Sequence, residues 1–232
     1  MRFKPTYFVL FFTLFVFSTK AQEVINDAGC RLGLGVEKKI NNQLTLKAKF
    51  MTRQVENFTL LNRIYLRGEV SYKLHKHFEA GAKFYYMQKQ KRFDQGFSPS
   101  YRYAFSLIYK LNLTSRFSLS NRLTYQISNN TFIPNDFLEE KSTTVLRDKL
   151  TLKFKHTRRG TAYIEDEGLF QLFGKNERYY FGRNRVYIGY NYQLTQQLEF
   201  NPYFILERTY GTGSKEPHQR TFYYCLELSY SF

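Results

Sequence analysis

Residues 185–206 read RVYIGYNYQLTQQLEFNPYFIL. Val186, Ile188, Tyr190, Tyr192 and Leu194 occupy alternate positions, Thr195-Gln196-Gln197 interrupts them, and Leu198, Phe200, Pro202, Phe204 and Leu206 resume the alternation. Successive side chains of a strand point to opposite faces. The stretch therefore reads as two strands, each with one apolar and one polar face, joined by a tight polar turn.

The same unit recurs from residue 30 onward. Leu32, Leu34 and Val36 lead to a turn at Asn41-Asn42 and return through Leu44, Leu46, Ala48 and Phe50. Ile64, Leu66, Val70 and Tyr72 turn at His75-Lys76-His77 and return through Phe78, Ala80, Ala82, Phe84 and Tyr86. Tyr101, Tyr103, Phe105, Leu107 and Tyr109 turn near Thr114-Ser115 and return through Phe117, Leu119, Leu123 and Tyr125. Leu150, Leu152 and Phe154 turn at 158–160 and return through Ile164 and Phe170, with Asp166 breaking the apolar face. A last strand holds Phe222, Tyr224, Leu226, Leu228, Tyr230 and the final Phe232.

Three features separate this pattern from a soluble sandwich. The alternating runs approach the ~9 to 11 residues of a tilted membrane strand rather than the ~5 or 6 of a globular one. Phe and Tyr make up 19% of the chain, and Tyr72, Tyr86, Tyr109 and Tyr125 sit near strand ends, as in interfacial aromatic girdles. The sequence closes on an alternating strand with a terminal Phe. In hydrocarbon every backbone polar group needs a partner, and a closed barrel supplies one while showing lipid only alternate residues. That explains how a chain with 23% charged residues can occupy a bilayer. The expected fold is all-β, an up-and-down antiparallel transmembrane β-barrel of about twelve strands, within a range of ten to twelve. Eleven strands are distinct, and an even count requires residues 22–28 either to form a short twelfth or to thread the lumen. With a periplasmic C-terminus, the longer connections, near 54–62, 88–99, 127–145, 171–182 and 209–219, face outward.

The N-terminal segment MRFKPTYFVLFFTLFVFSTKA has two cations, an apolar run over 7–17 and a small-residue exit. It reads as a signal peptide over 1–21, cleaved after Ala21, followed by a barrel over 22–232. Export places the barrel in the bacterial outer membrane, where outer-membrane lipid and, through Phe232, the barrel-assembly machinery are its expected partners. Removing Arg2, Lys4 and Lys20 leaves 32 basic against 19 acidic residues. Outside the cytoplasm such a balance points to anionic lipids, glycans or solutes and not to nucleic acid. Cys30 and Cys225 fall on opposite faces of their strands and are expected as free thiols.

Between the outward apolar residues lie Arg63, Arg67, Lys83, Arg102, Arg122, Lys149, Lys153, Arg183 and Arg185, together with Glu165, Glu167 and Glu207. By parity these line the lumen, with cations on the middle strands and acids on the last ones. Arginine offers a planar fork to carboxylate and sulfate groups, so one reading is a narrow pore with a basic lumen passing small anionic solutes or acidic saccharides. The alternative is a non-conducting structural or adhesive barrel whose Arg, Lys and Glu neutralise one another across the bore. A third reading, a lipid-modifying outer-membrane enzyme, ranks below both, and catalysis is not expected. Among the four histidines only His218 lies near a hydroxyl and a carboxylate, Ser214 and Glu216, and nothing fixes a nucleophile beside a base. His75 and His77 make too few ligands for a metal site, and no cofactor motif is present.

The stretches GLGVEKKINNQLTLKAKF (33–50), SYKLHKHFEAGAKF (71–84) and NRVYIGYNYQLTQQLEF (184–200), with the aromatic last strand, resemble exported proteins grouped as domain of unknown function 2490. The likeness covers most of 28–232. It implies an outer-membrane barrel and carries no catalytic residues with it.

Overall fold

The computed structural model describes residues 24–90, 96–130, 142–173, 180–210 and 218–232, so the signal-peptide segment lies outside the described residues. The alternation becomes eleven strands. They are β1 (Val24–Lys39), β2 (Leu44–Val55), β3 (Leu60–Lys73), β4 (Phe78–Lys89), β5 (Ser98–Asn112) and β6 (Phe117–Asn130), then β7 (Ser142–Lys155), β8 (Gly160–Phe173), β9 (Tyr180–Gln193), β10 (Leu198–Thr209) and β11 (His218–Ser231).

Each strand pairs antiparallel with its neighbours in sequence, and β1 closes the barrel against β11 in parallel, from Val24↔His218 to Glu37↔Ser231. The count of eleven falls inside the expected range without reaching twelve. Residues 24–28 neither form a strand of their own nor thread the lumen; they extend β1 alongside β11. Strands that alternate in direction leave the first and eleventh pointing the same way, so an odd number can close only through one parallel pair.

The two rims differ in their connections. At one rim, the turn end, four of the five turns repeat a single device, in which a side-chain oxygen caps the backbone amide two residues on and, in three of them, the amide three residues on as well. Asn41 Oδ1 accepts from the amides of Gln43 and Leu44, Thr114 Oγ1 from Arg116 and Phe117, and Thr195 Oγ1 from Gln197 and Leu198, while Thr157 Oγ1 accepts from Arg159. Such Asx and hydroxyl turns stand in for a backbone turn and fix the hairpin register. The opposite rim, the loop end, carries the remaining connections. The first of these is shorter than the expected 54–62, because β2 runs to Val55 and β3 begins at Leu60. Within it Glu56, Asn57 and Phe58 adopt φ of 54°, 53° and 70°, a left-handed run uncommon outside glycine. Contacts across the β1–β11 seam hold it: the Asn57 amide donates to Asp27 Oδ1 at 3.0 Å, and the Phe58 ring lies 6.1 Å from that of Tyr224. Close by, the register of β2 slips between Arg53 and Gln54, turning the Gln54 carbonyl toward Gly29, where a Cβ would sit 2.1 Å from its oxygen.

The distribution of side chains is inverted relative to a water-soluble domain. Leu34, Phe105 and Ile188 are 60%, 58% and 57% exposed on the outer wall, while Arg31, Lys49, Arg53, Glu167 and Glu207 are buried inside. On the inner wall of β8 to β11, Tyr187, Ile205, Tyr223 and Cys225 pack with Tyr163, Tyr203 and Val55. Gly189 makes room for Tyr163 and Tyr203, whose atoms a Cβ there would meet at 2.4 and 2.6 Å. Both cysteines are free, Cys225 buried on this inner wall and Cys30 half-buried with the outward parity of Leu32 and Leu34. Asp166 does break the outer face, and Asp148 joins it. Each carboxylate accepts a bond from an asparagine on the adjacent strand, Asn184 at 2.7 Å and Asn121 at 2.6 Å.

Candidate functional site: the charged lumen

A cavity of about 570 Å³ occupies the barrel interior. On the β1–β5 side its wall carries Arg31, Lys49, Arg53, Arg63, Arg67, Lys83, Lys89 and Arg102, and on the β6–β9 side Arg122, Arg147, Lys149, Lys153, Arg183 and Arg185. Glu165, Glu167 and Glu227 are the carboxylates among its described lining residues. A second space of about 360 Å³ opens at the turn end, and Lys49, Arg67 and Glu227 border both. The ion pair between Lys49 and Glu227 thus stands where the two chambers meet.

Register explains the two sides. Across β6 to β10 the residues Arg122, Lys149, Glu167, Arg185 and Glu207 are successive cross-strand partners, so from β7 onward cation and acid alternate around the wall. Glu167 Oε1 accepts from Arg147 Nε and NH2 at 3.1 and 2.5 Å, and its Oε2 accepts from Arg185 NH1 at 3.2 Å and from the Tyr187 hydroxyl at 2.9 Å. Glu165 binds Lys149 at 2.6 Å and the Thr151 hydroxyl at 3.1 Å, with the Lys149 ammonium 4.0 Å from the Tyr187 ring centroid. Glu207 binds Arg185 Nε at 2.5 Å and lies 3.5 to 3.7 Å from Arg183, Arg31 and Arg53. Opposite charges at these separations in a low-dielectric wall lock the side chains in place.

The β1–β5 side is built differently. Arg31, Arg53, Arg63 and Lys89 are successive cross-strand partners, four cations in one row. Toward the turn end Lys49 faces Arg67, which faces Tyr85, which faces Arg102. Arg67 and Lys83 share Glu69, at 3.6 and 3.4 Å. Arg102 donates to Ser128 Oγ at 3.1 Å and lies over the Tyr85 ring at 5.5 Å. Arg63 donates from Nε to Asn62 Oδ1 at 3.1 Å.

All twelve residues that parity assigned to the lumen face it: eleven line the cavity, and Glu207 joins through its ion pairs. Two expectations need correction. The excess of cations lies on β1 to β5 and not on the middle strands, because those of β7 are matched by the acids of β8. Arg31, Lys49 and Arg53, absent from the expected set, belong to the same wall. Their parity was readable, since they alternate with Leu32, Ala48 and Phe50. Tyr65, Tyr187 and Tyr223 were also missed, because tyrosine suits a lipid interface as well as a lumen.

Ser214 and Glu216 lie outside the described residues, and the His218 ring meets Tyr210 edge-on at 5.5 Å. His75 and His77 stack 6.0 Å apart, His77 Nδ1 lies 2.9 Å from the Lys110 carbonyl oxygen, and no three potential metal ligands converge among the described residues.

A closed barrel with an apolar exterior and a charged, solvent-accessible bore defines the class of this protein. Within that class the chain belongs to the family described as protein of unknown function (DUF2490), whose model matches residues 32–216. A search of curated proteins finds no match. Among solved structures, the NanC porin is similar at a TM-score of 0.49 and 13% identity, over 79% of this chain and 86% of that one. The translocator domain of the autotransporter NalP from Neisseria meningitidis is similar at 0.40 and 11%, over 78% and 72%.

Proposed function

We propose that the protein is an outer-membrane barrel, exported by a signal peptide cleaved after Ala21, whose basic lumen forms a narrow pore for small anionic solutes, acidic saccharides among them. The observation that carries this reading is the surplus of Lys and Arg over Glu around an interior cavity of about 570 Å³. Low-dielectric walls of one sign focus the field, concentrating counter-ions and excluding co-ions. In this reading the apolar outer wall contacts outer-membrane lipid, the turn end and Phe232 face the periplasm, and the loop end faces outward. The barrel-assembly machinery takes up the chain through its last strand. Phe232 extends past that strand, with its ring T-shaped against Tyr230 at 4.9 Å and its amide donating to the Glu37 carbonyl at 2.9 Å. Catalysis has no part in this role, and no cofactor or nucleic acid is involved.

The Lys49–Glu227 pair between the chambers, together with the charge ladder of β7 to β10, favours a second reading, a non-conducting structural barrel. Planar-bilayer recording separates the two. The pore reading expects a current whose reversal potential in a salt gradient shows anion preference. No current in any salt would leave the structural role.

A further inference from the structure

We infer that Arg31, Arg53 and Arg63 form a binding site for an oxyanion, the carboxylate, sulfate or phosphate group of a small solute. The inference deepens the pore reading and rests on it only in needing a lumen open to solute.

The three side chains are successive cross-strand partners on β1, β2 and β3 and face the same cavity. Like charges placed directly opposite one another destabilise a sheet, so such a row calls for a counter-charge. Among the described residues the protein supplies little. Glu207 is the one carboxylate in ion-pair range of Arg31 and Arg53, at 3.6 and 3.7 Å, beyond hydrogen-bond reach, and its short bond goes to Arg185. Arg63 has a neutral amide oxygen, that of Asn62, and no carboxylate within ion-pair distance among the described residues.

The guanidiniums carry the mark of an incomplete site. Arg31 and Arg53 are each 8% exposed, yet Nε and NH2 of Arg31 and Nε of Arg53 find no acceptor among the described residues. Buried donors without acceptors are costly, and charged ones more so. Their geometry is nonetheless fixed. The Tyr223 ring lies 4.2 Å from the Arg31 guanidinium and 4.7 Å from that of Arg53, and the Tyr223 hydroxyl accepts from Arg53 NH2. Two planar forks held on one aromatic ring, with a third cation beside them, suit the bidentate recognition of oxyanions better than that of a spherical halide.

The test is calorimetric titration of sodium sulfate into the folded barrel in detergent, at ionic strength held constant with sodium chloride, with acetate and phosphate as parallel arms. Saturable sulfate binding is expected, weakened about tenfold by Arg63→Gln and less than twofold by Lys153→Gln near the turn end, since a desolvated charge-assisted contact outweighs a remote one. Arg63→Lys, which keeps the charge and loses the fork, should fall between wild type and Arg63→Gln, and it serves as the reading if the glutamine variant does not fold. Sulfate heats indistinguishable from those of chloride would overturn the site, as would equal weakening by Lys153→Gln. Conductance on the same preparations keeps the two conclusions apart. A barrel that binds sulfate without current retains the site and loses the pore, whereas anion current without Arg63-dependent binding retains the pore and loses the site.

Discussion

Arg185 and Glu207 are direct cross-strand partners on β9 and β10, with Nε and Oε2 2.5 Å apart, and the same carboxylate is within 3.7 Å of Arg31, Arg53 and Arg183. One anion therefore stands among four guanidiniums. Glu207→Gln would leave them mutually repelling in a buried wall. Removing one partner of a buried pair costs about 3–5 kcal/mol. Urea unfolding of the folded barrel in lipid or detergent should show a loss of that order. Glu165→Gln should cost less, because its partner Lys149 also rests on the Tyr187 ring and the pair retains some contact with solvent.

Reversing the charge of Arg67, Arg102 and Arg122 to Glu replaces three cations of the cavity wall with three acids. Selectivity in a planar bilayer should move toward cations, and the shift should shrink as salt rises, since the Debye length falls from ~10 Å at 0.1 M to ~3 Å at 1 M. A reversal potential unchanged at low salt would mean that these side chains do not border the permeation path.

Gly29 and Gly68 should behave oppositely. A Cβ at Gly29 would lie 2.1 Å from the Gln54 carbonyl oxygen, a backbone atom that cannot step aside without disturbing the β1–β2 register, whereas nothing lies within 4 Å of one at Gly68. Gly29→Ala should destabilise the barrel by about 1–3 kcal/mol, the usual cost of overpacking. Gly68→Ala should be neutral or stabilising by up to about 1 kcal/mol, because alanine has less backbone freedom to lose. Heat-modifiable migration on gels, which reports an intact barrel, would rank the two variants.

Deleting Phe232 removes the last aromatic ring and its bond to the Glu37 carbonyl at the turn-end rim of the seam. The outer-membrane fraction of the expressed chain should fall and the periplasmic pool rise. Unchanged fractionation would show that insertion does not read this residue.

Much of the architecture was legible because the strands are long. Parity survives through twelve to sixteen residues, so Leu34, Phe105 and Ile188 declared the outer wall and Arg63, Glu167 and Arg185 the inner one. Three things were not legible, each for a physical reason. Whether β1 meets the last strand in parallel or antiparallel depends on how many strands precede closure, a property of the whole barrel that no local pattern records. The connection after β2 was read too long because parity slips between Arg53 and Gln54, and three left-handed residues complete a turn that contains no glycine. The location of unmatched cations depends on which strand stands beside which at what register. That is why Lys149 faces a carboxylate, Glu167, while Arg53 faces another cation, Arg63, and shares Glu207 with three other guanidiniums.

The parallel seam gives the two ends of the barrel different addresses. Val24 and Phe232 belong to opposite rims, whereas an up-and-down barrel with an even strand count brings both ends to the same one. In the membrane orientation proposed here, an epitope fused ahead of Val24 would be reachable by antibody on intact cells, and one placed after Phe232 only once the envelope is opened. No short linker could join the ends into a circle without crossing the bilayer.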